Sequence, residues 1–200
     1  MTATMMARMT GVAALLLAFC APAQETAPDA LVKRLVNEVI EVIGQNKDPR
    51  ALVALAEKKV IAHFDFRRMT QLAVGRSWPQ ASPTQKDALE RAFRTLLVRT
   101  YSTALAQTSG KTRVDVKAPS LNPGDSEAMV RTVVNEPGRR SFNIDYRMSK
   151  APDGWKVYDV VVENLSLVTN YRGSFQSEIS RSGIDGLIKT IQDKNQKQDG

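Results

Sequence analysis

The chain has 200 residues, of which 42% are hydrophobic and 24% charged, and its formal net charge is +7. This balance is typical of a globular domain with one sizeable core, and it excludes disorder as the default interpretation. A single histidine and a single cysteine also exclude a metal cluster built from several imidazoles or thiolates.

The N-terminal segment has the features of a secretory signal. Arg8 precedes GVAALLLAF, an apolar run too short to span a bilayer, and Ala21-Pro22-Ala23 suits cleavage before Gln24. We therefore predict a signal peptide at residues 1–23 and one periplasmic domain at residues 24–200. A lipoprotein signal at Cys20 is the alternative, which the bulky Phe19 disfavours. Cleavage would remove the only cysteine, so no disulfide is expected in the mature protein.

Residues 27–109 carry helical signals. Thr26 or Asp29 can cap a first helix that runs to about Ile43, and Asp48-Pro49 is typical of the start of a second helix. A short third helix ends near Gly75. Ser82 and Gln85 form a capping-box pattern that opens the longest helix, which should continue to about Ser109.

Residues 112–162 change to the period-two pattern of strands. TRVDVKA, EAMVRTVVN, RSFNIDYRM and WKVYDVVV alternate in polarity and are separated by turn signals such as Pro137-Gly138 and Asp153-Gly154. With further helices expected at residues 166–195, the sequence predicts an α+β fold with a sheet of about four antiparallel strands.

The fourth predicted strand is apolar on both faces. Strict alternation places Trp155, Val157 and Val161 on one face, and Tyr158, Val160 and Val162 on the other. A covering helix, a dimer partner or an apolar ligand would each explain a second dry face, and periodicity does not separate the three.

Catalytic motifs are missing from the sequence. It contains no Walker loop, GxGxxG or GxSxG, and His63 stands alone, so a local hydrogen-bonding role suits it better than catalysis. Asp159 with Glu163 leaves a hydrolase as the enzymatic alternative, although carboxylates at a strand end more often cap or pair with arginine. The scattered Lys and Arg residues carry no nucleic-acid recognition motif. We therefore predict a protein that is not an enzyme and does not bind nucleic acid.

Four segments together resemble the toluene-tolerance (MlaC) family of periplasmic phospholipid carriers. They are FDFRRMTQLAVGRSW, LLVRTYSTAL, WKVYDVVVENLSLVTNYRGSF and SGIDGLIKTI, and they span nearly all of the mature chain in the family's order. Asn164 stands where the family often has glycine, and asparagine tolerates the left-handed backbone that such a turn needs.

The resemblance implies a twisted sheet of the nuclear-transport-factor-two-like kind, wrapped by helices that enclose a lipid pocket. It also implies a monomer without a cofactor, whose cargo is phospholipid and whose partners are an inner-membrane ABC transporter complex and an outer-membrane lipoprotein complex that maintain lipid asymmetry. A carrier of hopanoid-type lipids and a module that binds a protein partner are the alternatives.

The resemblance further implies two sets of site residues. Residues expected to face the lipid tails are Phe66, Met69, Leu72, Phe93, Leu97, Tyr101, Val130, Ile144, Tyr146, Tyr158, Val160, Val162, Leu165, Leu167 and Phe175. Residues expected to contact the head group at the rim are Arg76, Arg99 and Arg172, because a guanidinium binds phosphate through two parallel donors. Each apolar residue also suits an ordinary core position.

Overall fold

The computed structural model describes residues 27–197. The predicted signal peptide at residues 1–23, with Cys20, lies outside that range, and so does the predicted cap Thr26. No helix within residues 27–197 combines the length and the apolar character needed to cross a membrane.

The N-terminal half consists of helices, as predicted. They are α1 (Pro28–Gln45), α2 (Pro49–Leu55), a π turn (Ala56–Val60), a 3-10 turn (Ile61–His63), α3 (Phe66–Val74), a second 3-10 turn (Gly75–Gln80) and α4 (Pro83–Ala106).

Side chains cap two of these helices at the predicted positions. The Asp48 carboxylate accepts a hydrogen bond from the backbone N–H of Arg50, 2.9 Å away, at the start of α2. Ser82 and Gln85 form the reciprocal capping box of α4, with N···O distances of 3.0 and 3.1 Å. The predicted Asp29 cap is wrong, because Ala27 is the N-cap residue and Asp29 lies within the first turn of α1.

The sheet contains five antiparallel strands in the order β1-β2-β3-β4-β5, one more than predicted. The additional strand pairs only two residues with β4, and the hairpin between them has positive φ at Glu163 (46°) and Asn164 (69°). Two central residues with φ > 0 are typical of a type I′ turn, which confirms the left-handed backbone expected at Asn164. The strands are β1 (Arg113–Lys117), β2 (Glu127–Asn135), β3 (Phe142–Ala151), β4 (Gly154–Val162) and β5 (Leu165–Ser166).

A β-bulge makes the predicted face assignment of the fourth strand wrong. Met148 pairs with Val157, but Arg147 pairs with Asp159, so Tyr158 is an extra residue in β4. Directly paired residues of antiparallel strands share a face. The bulge therefore moves Val160 and Val162 to the face of Trp155 and Val157, and moves Val161 to the opposite face. We call the face that carries Val157 and Val160 the inner face, and the other the outer face.

Two buried clusters form the core of the α+β fold that the sequence predicted. The helical cluster joins α3, α4 and the C-terminal helix, with Phe93 and Leu89 fully buried. The second cluster packs Leu31, Val32 and Leu35 of α1 against the inner face of the sheet. Phe64 packs against both clusters and forms a bridge to Val157 at the edge of β4.

The C-terminal segment contains a 3-10 turn (Thr169–Tyr171) and α5 (Arg172–Lys197), so the predicted helical region begins a few residues later than expected. Gly183 interrupts α5 with φ 71° and ψ −175°.

Two glycines let α1 approach the loop that follows α4. A Cβ atom built on Gly110 would lie 2.5 Å from the Cα of Gly44, closer than any unstrained contact between carbon atoms. We expect Gly110→Ala to lower the free energy of unfolding by about 1–3 kcal/mol, because backbone rather than a flexible side chain has to move.

Gly173 provides the matched control, because a Cβ built there meets nothing within 4 Å in the first turn of α5. Gly173→Ala should leave stability unchanged or raise it by up to about 1 kcal/mol. Urea unfolding of both variants measures the difference, and equal stability of the two would contradict the close contact.

Candidate functional site

An apolar surface on the inner face of the sheet is only partly covered. The side chains beneath α1, including Val130, Met148 and Val157, are buried. The same face continues through half-buried residues of β3 and β4, of which Tyr146 and Val160 pack against the α1 cluster, and ends at Leu165, which is 55% exposed. We call this continuation the apolar strip; it consists of Ile144, Tyr146, Val160, Val162 and Leu165.

Strand pairing places these five side chains next to one another. Ile144 pairs with Val162, Tyr146 pairs with Val160, and Val162 pairs on its other side with Leu165. All five belong to the predicted tail-facing set. Since an apolar surface of this kind is favourable only when something excludes water from it, the strip is a candidate binding surface for an apolar ligand.

The neighbours of the strip are also apolar. Val36 of α1 is half-buried and packs against the same cluster as Tyr146 and Val160. Leu167 follows β5, and its N–H donates to the carbonyl of Val160 at 2.8 Å, so the backbone at this half-buried residue lies beside β4.

Most of the other predicted tail-facing residues lie in the helical cluster rather than on the strip. Leu72 and Tyr101 are half-buried against it, and Val130 is buried beneath α1. A buried position is consistent with a plain structural role. The predicted tail-facing residues that are buried within the helical cluster are Phe66, Met69, Phe93, Leu97 and Phe175.

Tyr158 is not brought to the strip. As the extra residue of the bulge, it places its ring beneath the guanidinium of Arg68, 3.6 Å from the ring centroid to Cζ, and its hydroxyl lies 3.4 Å from Glu127 Oε2. Glu127 pairs with Ser149, whose side chain belongs to the outer face.

Asp159 is completely buried and anchors the segment that carries β5. Its Oδ1 accepts hydrogen bonds from the Ser166 hydroxyl at 2.9 Å and from the Val168 N–H at 3.4 Å. Its Oδ2 lies 3.3 Å from the guanidinium of Arg147. These contacts occupy the carboxylate, which therefore acts as a structural cap rather than as half of an acid–base pair. Glu163 accepts a hydrogen bond from the N–H of Asn143 instead of facing Asp159.

Two of the three predicted rim arginines lie together. Arg172 donates from Nε and Nη2 to the carbonyl of Leu72, at 3.0 and 2.9 Å, and Arg76 donates from Nε to Gln176 Oε1 at 3.0 Å. Within residues 27–197 neither guanidinium forms an ion pair with a carboxylate. Both line an open cleft of about 540 Å³, whose other lining residues are Gln71, Leu72, Gly75 and Gln176.

Arg99 lies apart from this cleft. Its Nη1 donates to the carbonyl of Asn195 near the end of α5, so its side chain fastens α4 to α5. Sequence reasoning missed Gln71 and Gln176, because glutamine carries no signal that distinguishes a cleft from ordinary surface.

The described residues offer little to a metal ion or to acid–base catalysis. Between residues 27 and 197 no three His, Cys, Asp or Glu side chains are grouped so that they could hold a metal. The imidazole of His63 lies 3.4 Å from the Arg34 guanidinium, and burial together with that cation lowers the pKa of His63 below its ordinary value. The histidine is therefore neutral at pH 7 and has the local role that the sequence indicated.

Comparisons with known proteins show the family of this chain. The family model described as "MlaC protein" matches residues 33–193. The structure resembles that of the phospholipid-binding protein from Ralstonia solanacearum in complex with a phospholipid, with a TM-score of 0.78, 33% sequence identity, and coverage of 87% of this chain and 99% of that chain.

A curated relative agrees as well. The intermembrane phospholipid transport system binding protein MlaC of Haemophilus influenzae is 19% identical over 176 residues, which cover 84% of this chain and 82% of the relative. The resemblance found in the four sequence segments is confirmed, and the chain belongs to the MlaC family.

Proposed function

We propose that this protein is a periplasmic carrier that binds a phospholipid by its acyl chains and moves it between the outer and inner membranes. The observation that carries the proposal is the apolar strip, where Tyr146, Val160 and Leu165 extend an apolar sheet face beyond the helix that covers it. The phospholipid bound to the R. solanacearum protein supports the choice of ligand.

The energetics of lipid transfer require such a surface. A lipid with two tails has on the order of 30 methylenes, and each costs about 0.8 kcal/mol to expose, so free diffusion of the lipid through water is excluded. A site that covers the tails and leaves the charged head group in water avoids most of the cost of desolvating a phosphate. On this argument we expect the tails to cover the strip and the head group to stay in water.

Arg76 and Arg172 remain our candidates for contact with the phosphate, because their guanidinium groups line the same cleft without a carboxylate partner among the described residues. Arg99 has less support in this role, since its guanidinium is committed to the carbonyl of Asn195.

Transport rather than chemistry is the activity we propose. Asp159 is held by three hydrogen-bond donors, and Glu163 accepts from the Asn143 N–H, so the two carboxylates do not form an acid–base pair. This supports a protein that releases its lipid intact. The word "intermembrane" in the name of the H. influenzae relative and the signal-like residues 1–23 support the periplasmic location. An inner-membrane ABC transporter complex and an outer-membrane lipoprotein complex are the partners we expect.

A charge placed on the strip tests the proposed site. Val160→Asp would set an unpaired carboxylate against the tails, so we expect loading of phosphatidylethanolamine from vesicles to fall at least about tenfold. Val160 is half-buried, which makes it a better test than Leu97, whose replacement by aspartate would disrupt the buried helical cluster.

Met129→Asp is the matched control, because Met129 is 37% exposed and pairs with Arg147, whose side chain lies on the outer face. It should load lipid as the wild type does. Circular dichroism checks that both variants are folded, and lipid extraction with mass spectrometry quantifies the loading. Equal loading of the two folded variants would place the tails elsewhere.

An exposed head group predicts weak selectivity. Phosphatidylethanolamine and phosphatidylglycerol should bind within about tenfold of each other, because an exposed charge contact contributes at most about 1 kcal/mol. Arg76→Ala should weaken both by a similar factor, up to about fivefold, whereas replacement of Arg91, an exposed arginine of α4, should change neither. A competition assay in mixed vesicles measures both ratios. Preference for one head group by a hundredfold or more would show that the head is enclosed.

A further inference from the structure

Tyr146 differs from the other three tyrosines in the hydrogen bonding of its hydroxyl. Tyr101 and Tyr171 hydrogen-bond to each other, and the hydroxyl of Tyr158 reaches Glu127 at 3.4 Å. Within residues 27–197 the hydroxyl of Tyr146 has no hydrogen-bond partner.

The neighbours of Tyr146 on the sheet are apolar. The residue lies in the middle of the sheet, paired with Val130 on β2 and with Val160 on β4, while Ile144 is its neighbour along the same face. Burial raises the pKa of Tyr146 to about 12, so the phenol is neutral and able to donate at pH 7. When a ligand covers the strip, this donor loses water and costs free energy unless the ligand supplies an acceptor.

The chemistry of the ligand narrows what that acceptor is. Acyl chains carry no acceptor, and the phosphate stays in water because its desolvation is too costly. The two ester carbonyls lie where the tails join the glycerol, at the boundary between the apolar and polar parts of the lipid, and each accepts a hydrogen bond.

We propose that the Tyr146 hydroxyl donates a hydrogen bond to an acyl ester carbonyl of the bound lipid, which makes it the residue on the apolar strip that selects ester-linked lipids. The inference rests on the proposed function, because it takes the strip as the tail-binding surface. It adds one fixed point of contact, because the ester lies at the level of Tyr146.

Competition between ester and ether lipids tests the inference. Protein freed of lipid is offered vesicles that contain equal amounts of diester phosphatidylethanolamine and its diether analogue, with the same chain lengths, and the bound lipids are quantified by mass spectrometry. An ether oxygen is a much poorer acceptor than an ester carbonyl. The wild type should therefore prefer the diester by about twofold to tenfold, the range of a single net hydrogen bond.

Tyr146→Phe should abolish this preference while leaving the uptake of diether lipid unchanged, because it removes only the hydroxyl. Tyr158→Phe is the matched control, since its hydroxyl reaches Glu127 away from the strip, and it should keep the wild-type preference. A Tyr146→Phe protein that retains the preference, or a wild type that shows none, would overturn the inference. Failure of the wild type to load either lipid would instead contradict the proposed function.

Two further readouts separate ester recognition from a structural effect. Without lipid, Tyr146→Phe should unfold at the same or a higher temperature than the wild type, since it deletes an unpaired polar group. In the wild type alone, infrared spectra of bound lipid with ¹³C-labelled ester carbonyls should show one carbonyl band shifted to lower frequency. An unshifted pair of bands would overturn the proposal even if the variant did not fold.

Discussion

The architecture depends on an apolar sheet face that is longer than the helix covering it. Leu31, Val32 and Leu35 of α1 bury one end of this face, and the other end stays accessible through Tyr146, Val160 and Leu165. In a fold whose stability comes from burying apolar surface, leaving such an extension uncovered lowers stability. A ligand that covers it converts that loss into affinity.

Two local features produce the strip. The bulge at Tyr158 shifts the pleat of β4 by one residue, so that Val160 and Val162 join the inner face instead of the outer one. The buried carboxylate of Asp159 then holds Ser166 and Val168, which fixes β5 beside β4 and adds Leu165 to the strip. The only carboxylate among the fully buried side chains of the described sheet thus has a positioning role that supports the apolar site.

Local signals in the sequence predicted most of the fold. The capping box at Ser82 and Gln85 requires only neighbouring residues and appears as expected. The bulge was not predictable from alternation, because a period-two count continues through an extra residue without any change in composition. β5 was missed because two residues are too few to show a period. The Asp29 cap failed because a suitable side chain alone does not determine where a helix begins.

The candidate site was less predictable than the fold. Apolar residues of a pocket and of a core share the same composition, so the sequence could not separate Val160, on the strip, from Phe93, within the helical cluster. Arg76 and Arg172 are far apart in the chain and meet only because α3 ends where α5 begins. The unpaired hydroxyl of Tyr146 has no sequence signal, since it depends on what the fold places around it.

The mass of the exported protein, measured together with any lipid bound to it, tests the central claim most directly. The protein should be exported to the periplasm of a bacterial host, purified without detergent and analysed by native mass spectrometry, followed by lipid extraction. A carrier with tails on the apolar strip predicts one diacyl phospholipid per chain, recovered without lyso-lipid or free fatty acid. A spectrum of the bare chain alone, under conditions that preserve noncovalent lipid complexes, would contradict the account.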